Sequence, residues 1–318
     1  MARLLITRPL PDAVIDAARA QHDVTARDST GPLDAAELDG ALRDYDAVLA
    51  TLGDAFSAEV FARAGTARCK VIANFGVGYN HIDAAAARAA GVTVTNTPGV
   101  VTDATADIAL TLILMSARRA AEGERLVRAG DWTGWHPTQM LGLHVTGKTV
   151  GIVGMGRIGK AIARRCHYGF AMDVVFHNRS SVGDAGVPAR QLETLHEVMA
   201  AADIVVAAVP GGAATHHLID AQAIAAMRPE AYLVNISRGD VIDEAALIAA
   251  LETGRIAGAG LDVYEREPEV PARLRALDNA VLLPHLGTAA LEVRTAMGMM
   301  ALDNLNAVLD GAEPPNKV

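Results

Sequence analysis

Three ionisable residues of complementary type each follow an apolar stretch in the second half of the chain. They are Arg238, Glu267 and His285, which come after residues 233–237, 260–264 and 281–284. Reduction of a 2-oxo acid needs a hydride on carbon, a proton on oxygen and a cation that holds the carboxylate. Histidine donates protons near neutral pH, a neighbouring carboxylate fixes its tautomer, and a guanidinium grips a carboxylate in a planar fork.

Each of the three also has an ordinary interpretation when taken alone. Arg238 fits a surface charge, Glu267 a solvated turn acid before Pro268, and His285 a core histidine with satisfied hydrogen bonds. Their common position favours chemistry, because ligands of an open parallel sheet bind beyond the carboxyl ends of its strands.

A glycine-rich segment predicts the cofactor that such a reaction needs. The apolar residues 150–153 run into Gly154, Gly156 and Gly159, and a helical pattern follows. In this strand–turn–helix context, G-x-G-x-x-G predicts dinucleotide binding. Gly154 allows the tight turn, Gly156 lets the backbone approach a pyrophosphate, and Gly159 lets the helix pack closely on its strand. The phosphates then lie on free N–H groups at the positive end of the helix.

The end of the next predicted strand indicates which dinucleotide binds. An NAD-preferring site places an acidic residue there for the ribose 2′-OH, but this chain has Asn178, Arg179 and Ser180. A guanidinium binds a 2′-phosphate that a carboxylate would repel. NADP is therefore the predicted cofactor, with NAD as the weaker alternative; the alternative for Arg179 itself is a solvated loop residue.

The surrounding chain alternates short apolar runs with alanine-rich segments of helical period. This alternation predicts an α/β fold of doubly wound parallel sheets with helices on both faces. In the first half we expect strands at 4–7, 47–51, 71–74 and 92–96 and helices at 12–21 and 84–90. In the second half we expect six strands, at 150–153, 173–177, 204–208, 231–236, 257–263 and 280–284.

Two further helices set the expected domain boundaries. Residues 104–121 are apolar nearly all round in their middle, as in a helix buried along a domain interface. The last helix, residues 290–309, has too few strand partners for a domain of its own and is expected to return to the first. We therefore predict a discontinuous substrate domain, 1–99 with 287–318, and a nucleotide-binding domain, 100–286.

A second glycine loop lies in the first predicted domain. It reads Gly76-Val77-Gly78-Tyr79-Asn80-His81-Ile82-Asp83 and follows the strand at 71–74. Free N–H groups in such a loop bind a small anion such as a carboxylate. The ordinary interpretation is a strand-to-helix turn; opposite Arg238, a substrate loop is favoured.

Composition excludes several classes of protein. The chain has 318 residues, a fifth of them charged, and a net charge of −9, which argues against nucleic-acid or anionic-membrane partners. Cys69 and Cys166 lack metal-ligand spacing and suggest neither a disulfide nor a metal site. No signal peptide or membrane-length apolar run is visible, so a cytoplasmic protein is expected.

Together these motifs resemble the D-2-hydroxyacid dehydrogenase family over almost the whole chain. The resemblance is carried by residues 76–83, 154–159, Asn235-Ile236-Ser237-Arg238-Gly239, Gly260-Leu261-Asp262-Val263-Tyr264-Glu265, Glu267-Pro268 and Pro284-His285-Leu286-Gly287. The NADPH-dependent glyoxylate/hydroxypyruvate reductases are the most similar branch, because of Gly76–Tyr79 and Asn178–Ser180. The resemblance implies a fold with a flavodoxin-like substrate domain, a Rossmann domain and a cleft between them.

The resemblance also implies roles for individual residues. His285 is the acid/base and Glu267 its partner, while Arg238 and the amides of Val77 and Gly78 bind substrate. Asp262 holds the nicotinamide amide. The remaining implied cofactor contacts are Thr105, Gly154, Gly156, Arg157, Ile158, Gly159, Asn178, Arg179, Ser180, Val209, Pro210, Thr215, Ile236, Ser237, His285 and Gly287.

The implied assembly is a homodimer in which the segment around Trp132, Trp135 and Met140 reaches the partner's active site. Residues 136–139 lack the bulky aromatic that some reductases place nearby, so the choice between hydroxypyruvate and larger acids stays open. The alternatives to a glyoxylate/hydroxypyruvate reductase are a dehydrogenase for a bulkier 2-hydroxy acid and a nucleotide-sensing corepressor-like scaffold. The intact Arg238, Glu267 and His285 argue against the scaffold.

Overall fold

Every strand in the computed structural model, which describes residues 1–318, pairs in parallel within one of two separate sheets. One sheet has five strands and the other has seven. The chain divides accordingly into a first unit, Met1–Val101 with Thr288–Val318, and a second unit, Thr102–Gly287. This confirms the predicted fold class of two doubly wound α/β sheets.

The first unit is a five-stranded sheet in the flavodoxin-like order β2-β1-β3-β4-β5. Its two strands β3 and β4 are buried at every position, because helices cover both faces of the sheet. The elements up to residue 101 are β1 (Arg3–Ile6), α1 (Asp12–Arg19), β2 (Asp23–Ala26), α2 (Ala35–Asp44), β3 (Ala47–Ala50), α3 (Ala58–Ala64), β4 (Val71–Asn74), α4 (Ala84–Ala89) and β5 (Thr93–Thr95).

The second unit is a seven-stranded sheet with a large apolar core on each face. Its elements are α5 (Thr102–Ala117), α6 (Ala120–Ala129), β6 (Thr149–Val153), α7 (Arg157–Phe170), β7 (Asp173–His177), β8 (Ala189–Gln191), α8 (Leu195–Ala201), β9 (Ile204–Ala207), α9 (Ala221–Ala226), β10 (Tyr232–Asn235), α10 (Glu244–Glu252), β11 (Gly258–Leu261), α11 (Ala272–Arg275) and β12 (Ala280–Leu282). The order β12-β11-β10-β9-β6-β7-β8 reverses direction between β6 and β9. Ligands of doubly wound sheets bind at such a switch point.

The last helix, α12 (Leu291–Leu309), packs on β4 and α1 and so completes the first unit. Its buried positions include Met297, Ala301 and Leu305, and the last two join the core beneath β1 and β3. None of the helices combines the length and the apolar character that a membrane span requires.

Several expectations about individual elements are wrong, among them the end of the strand predicted at 257–263, which stops at Leu261. The helix predicted at 104–121 is two helices, α5 and α6, because Arg119 adopts a left-handed conformation with φ 52°. The nucleotide sheet has a seventh strand, β8, whose residues lie at an exposed edge and lack an apolar pattern. The strand predicted at 280–284 ends at Leu282.

Candidate active site

The three candidate residues of the second unit lie at the carboxyl edge of its sheet. Arg238 follows β10, Glu267 follows β11 and His285 follows β12, and these three strands are neighbours. Backbone bonds continue the register past the strand ends, since the amide of His285 donates to the carbonyl of Asp262 over 3.0 Å. Residues far apart in sequence are thereby brought to one edge of the sheet.

His285 and Glu267 are in direct contact. The distance from His285 Nδ1 to Glu267 Oε2 is 2.8 Å, and the two side chains are 33% and 30% exposed. The other carboxylate oxygen, Oε1, accepts the backbone N–H of Tyr264 over 3.1 Å. Glu267 therefore fixes one edge of the imidazole, and Nε2, on the opposite edge, has no partner in the protein.

The surroundings of Glu267 keep its carboxyl group ionised. Burial alone would raise its pKa, but the hydrogen bond and charge of His285, the Tyr264 amide and the charge of Arg238 outweigh it, and the pKa is lowered. A carboxylate that stays charged stabilises a proton on the adjacent imidazole. Glu267 is thus placed to accept a hydrogen bond from the Nδ1–H group of His285.

Arg238 lies beside this pair on a fixed backbone. Asn235 Nδ2 donates to the carbonyl of Arg238 over 2.9 Å, and Arg238 Nη1 donates to the carbonyl of Ser237 over 2.7 Å. Burial lowers the pKa of Arg238, while the charges of Glu267 and Asp240 oppose that effect. The guanidinium still carries its charge at neutral pH and can bind an anion there.

The backbone of Tyr264 crosses directly over Gly239, so that any Cβ at Gly239 would collide with the Tyr264 carbonyl group. Tyr264 also donates its hydroxyl to the Leu283 carbonyl over 2.9 Å. These contacts tie together the three loops that carry Arg238, Glu267 and His285.

Asp262 holds the backbone on the far side of His285. Its two carboxylate oxygens accept the N–H groups of Leu286 and Gly287 over 2.6 and 2.8 Å. Burial raises the pKa of Asp262, and these bonds and the charge of His285 act against the rise. Thr105 of α5 lies close to Gly287 and Asp262, so these three predicted cofactor contacts share one place.

The glycine turn lies at the switch point between β6 and β9. Gly154 has φ +99°, and a Cβ there would collide with the backbone of Ala208, just after β9. Gly156 is the N-cap of α7, whose first residues are Arg157 and Ile158, and nothing lies within 4 Å of the position of its missing Cβ. Open space above a helix N-terminus fits a pyrophosphate.

Other predicted cofactor contacts follow the neighbouring strands. Ile236 and Ser237 are buried directly after β10. Val209 and Pro210 follow β9, and the hydroxyl of Thr215 donates to the Pro210 carbonyl over 2.7 Å. Each of these positions lies at the carboxyl edge where a dinucleotide binds.

The segment after β7 presents an exposed guanidinium, that of Arg179. Asn178 Nδ2 donates to the carbonyl and hydroxyl oxygens of Ser180 over 3.1 and 3.3 Å, which closes a small turn around Arg179. Arg179 is exposed and pairs with no carboxylate of the chain. No acidic side chain stands at the end of β7, where an NAD-preferring site would have one.

In the first unit, the loop after β4 leaves two amides free. Asn74 Nδ2 donates to the carbonyls of Gly76 and Gly78, and Asn96 Nδ2 donates to that of Val77. The N–H groups of Val77 and Gly78 donate to no atom of the protein. Sequence reasoning identified this loop but did not assign these hydrogen bonds to Asn74 and Asn96, because they depend on the path of the loop.

The segment after α6 is exposed. Trp132 and Trp135 are 52% and 78% exposed, and Leu141 is 68% exposed. No residue of α6 itself is buried. This segment therefore leaves three large apolar side chains in solvent.

Comparison with known proteins decides the family. Residues 110–287 match the model of the D-isomer specific 2-hydroxyacid dehydrogenase family, NAD binding domain. The glyoxylate reductase of Thermococcus onnurineus (strain NA1) is 41% identical over 321 residues, covering 99% of this chain and 95% of that protein. The chain belongs to this dehydrogenase family. The resemblance predicted from the sequence is therefore confirmed, and the match places the family's NAD binding domain in the second unit.

Solved structures of similar proteins have the same fold along the whole chain. A protein from Thermus thermophilus is 43% identical, covers 99% of both chains and has a TM-score of 0.92. The NADPH-dependent glyoxylate/hydroxypyruvate reductase of Sinorhizobium meliloti, crystallised with NADP and malonate, is 34% identical with a TM-score of 0.88, over 99% of this chain and 96% of that one.

Proposed function

We propose that the protein reduces a small 2-oxo acid, glyoxylate or hydroxypyruvate, to the 2-hydroxy acid, with D configuration where the product is chiral. The observation that supports this most strongly is the 2.8 Å contact between His285 and an ionised Glu267 at the carboxyl edge of the nucleotide sheet. The kinship with glyoxylate reductases supports the choice of substrate. Bound NADPH supplies the hydride in this reaction.

In the proposed mechanism His285 donates the proton. Nδ1–H stays on Glu267, so Nε2–H faces the substrate oxygen and transfers its proton as the carbonyl is reduced. The Glu267 carboxylate stabilises the imidazolium before the transfer. Arg238 binds the substrate carboxylate and polarises the carbonyl, since its guanidinium offers paired donors and a fixed charge. The free amides of Val77 and Gly78 bind the carboxylate as well.

We also propose that NADPH is preferred to NADH. The glycine turn at Gly154, Gly156 and Gly159 and the start of α7 would hold the pyrophosphate. Arg179 would bind the 2′-phosphate, which its exposed and unpaired guanidinium suits. Asp262 would orient the nicotinamide amide beside His285.

The exposed segment around Trp132, Trp135 and Met140 is proposed as a homodimer contact. Two tryptophans on one solvent-facing stretch fit an interface, where aromatic side chains are enriched. Replacing both tryptophans with serine should shift the mass measured by light scattering from dimer to monomer.

The decisive experiment measures oxidation of NADPH and of NADH with a panel of 2-oxo acids of increasing side-chain size. We expect the highest kcat/KM with glyoxylate or hydroxypyruvate and NADPH. A maximum at a bulkier acid would favour the alternative dehydrogenase. If no 2-oxo acid is turned over while the dinucleotide still binds, the corepressor-like scaffold becomes the better interpretation.

The cofactor preference is tested by Arg179→Asp. A carboxylate at this position repels a 2′-phosphate and accepts from a ribose hydroxyl, so the NADPH/NADH ratio of kcat/KM should fall by about a hundredfold, roughly the effect of one charge-assisted pair. Arg190→Asp, at an exposed arginine of β8, makes the same charge change as a control. If the NADPH/NADH ratio of kcat/KM is unchanged in Arg179→Asp, this arginine does not bind the 2′-phosphate.

A further inference from the structure

Two histidines and a glutamate that the proposed reaction does not use come together in the second unit. His216 and His217 follow β9, Glu265 follows β11, and one ligand atom from each lies within 4.8 Å of the others. The two imidazole rings are stacked, with centroids 4.0 Å apart and planes 24° from parallel. His217 Nε2 lies 3.3 Å from Glu265 Oε1.

The backbone around this cluster is fixed on both sides. The amide of His217 donates to the Asp240 carbonyl over 2.7 Å, and the amide of Glu265 lies 3.4 Å from Glu244 Oε2. The backbone is therefore held in place, and rotation of the three side chains would bring their donor atoms to a common centre. His216 is exposed, and the side chains of His217 and Glu265 are 33% and 25% exposed, so an ion reaches them from solvent.

The local charge favours a cation. Glu265 and the half-buried Glu244 are two carboxylates on adjacent segments. A divalent ion on Glu265 would relieve the repulsion between the two carboxylates.

We propose that His216, His217 and Glu265 form a binding site for one divalent late transition-metal ion of the Zn²⁺ type. Two imidazoles and one carboxylate are a ligand set of zinc and of its neighbours in the first row, and water completes the coordination. The ion joins the segment after β9, which carries Thr215, to the segment after β11, which carries Glu267. It acts as a clamp between two loops, and the proposal does not depend on the substrate or cofactor assigned above.

The test is calorimetric titration of Zn²⁺ into the full-length protein after treatment with a chelator. We expect one ion per chain and a loss of affinity of about tenfold or more in each of His216→Ala, His217→Asn and Glu265→Gln, since even indirect supports of a metal are worth that much. Asparagine replaces His217 because its φ of 49° suits asparagine better than alanine. His196→Ala, an exposed histidine on α8, should bind as the wild type does.

A second measurement separates the site from the histidine of the proposed reaction. Zn²⁺ should slow hydrogen exchange in residues 209–218 of the wild type and of His285→Ala, but not in His217→Asn. Absence of stoichiometric binding would overturn the proposal. So would binding that survives in the His216→Ala/His217→Asn double variant or disappears in His285→Ala. Matching thermal melts in chelator would show that the variants are folded.

Discussion

Replacing Glu267 with glutamine tests the proposed proton donor most directly. The carboxylate accepts two hydrogen bonds, from His285 Nδ1 over 2.8 Å and from the Tyr264 amide over 3.1 Å. A carboxamide has one acceptor oxygen. If that oxygen still accepts from the Tyr264 amide, the NH₂ group of the glutamine faces His285 Nδ1. When the imidazole carries a proton on both nitrogens, its Nδ1–H then points at the NH₂ group, so that two hydrogen-bond donors face each other. The substitution therefore disfavours the imidazolium that the proposed reduction needs, although it preserves the size of the side chain.

The size of the effect follows from the bond that is lost. A hydrogen bond to a charged group is worth about 1.5–3 kcal/mol, and both side chains are about one-third exposed, which places this pair in the lower half of that range. About 1.5–2.2 kcal/mol corresponds to a decrease in kcat/KM of roughly 10- to 50-fold. Because the protonated form of His285 is disfavoured in the enzyme–substrate complex as well as in the free enzyme, kcat should fall by a similar factor where the imidazole is mostly neutral.

The assay is steady-state oxidation of NADPH with glyoxylate across a range of pH. Besides the lower rate, the alkaline limb of the reduction profile should move to lower pH in Glu267→Gln, because the carboxylate that stabilises the imidazolium is lost. Glu269→Gln changes an exposed residue of the same loop and should leave rate and profile unaltered. A Glu267→Gln enzyme with wild-type kcat and an unmoved profile would refute the reasoning, because the carboxylate would then not support the proton on His285.

Three further predictions concern binding and stability. Arg238→Lys removes the planar fork and should lower kcat/KM for the 2-oxo acid by about 10- to 100-fold, while the Kd of NADPH, measured by fluorescence titration, stays within about threefold, the usual context dependence of a remote change. The lowered pKa of Glu267 means that the folded chain binds this proton less tightly than the unfolded chain, so the carboxylate stabilises the fold above the ordinary pKa of 4.5 and loses this contribution as the pH falls through the lowered value. Urea unfolding of the wild type and Glu267→Gln should accordingly converge as the pH is lowered, and a gap that widens would contradict the sign. Gly159→Ala places a methyl group against the carbonyl of Gly154 and should lower the free energy of unfolding by about 1–3 kcal/mol, whereas Gly169→Ala, on the same helix with open space around it, should not.

The strands could be predicted from the sequence where burial on both faces leaves a run of apolar residues. Strands such as β9 and β10 are covered on both faces, so they appear as unbroken apolar runs. β8 has the sequence Ala-Arg-Gln at an exposed edge and carries no such signal. The sequence does not indicate the end of α5 either. Arg119, in a left-handed conformation, stands where a glycine or proline usually marks a helix boundary.

Part of the site could also be predicted from the sequence, because of the way parallel strands are arranged. Parallel strands end at one edge, so residues that follow neighbouring strands meet, whatever their separation in sequence. His285 and Glu267 are 18 residues apart and fall under that rule. His217 and Glu265 are 48 residues apart, and they are in contact because the irregular loops after β9 and β11 lie side by side. No pattern in the sequence indicates this contact. The hydrogen bonds of Asn74, Asn96 and Asn235 to loop carbonyls likewise depend on loop paths that periodicity does not describe.

Two carboxylates act on His285 in different ways. Asp262 accepts the amides of Leu286 and Gly287 and so fixes the backbone of a residue whose φ is 55°. Glu267 contacts the ring itself, at Nδ1. A positive φ is unfavourable for a non-glycine residue, and the Asp262 bonds help to hold the chain there on the C-terminal side of His285. The backbone of His285 and its imidazole ring are thus held by separate carboxylates on the same sheet edge, so a change at Glu267 can leave the backbone placement intact.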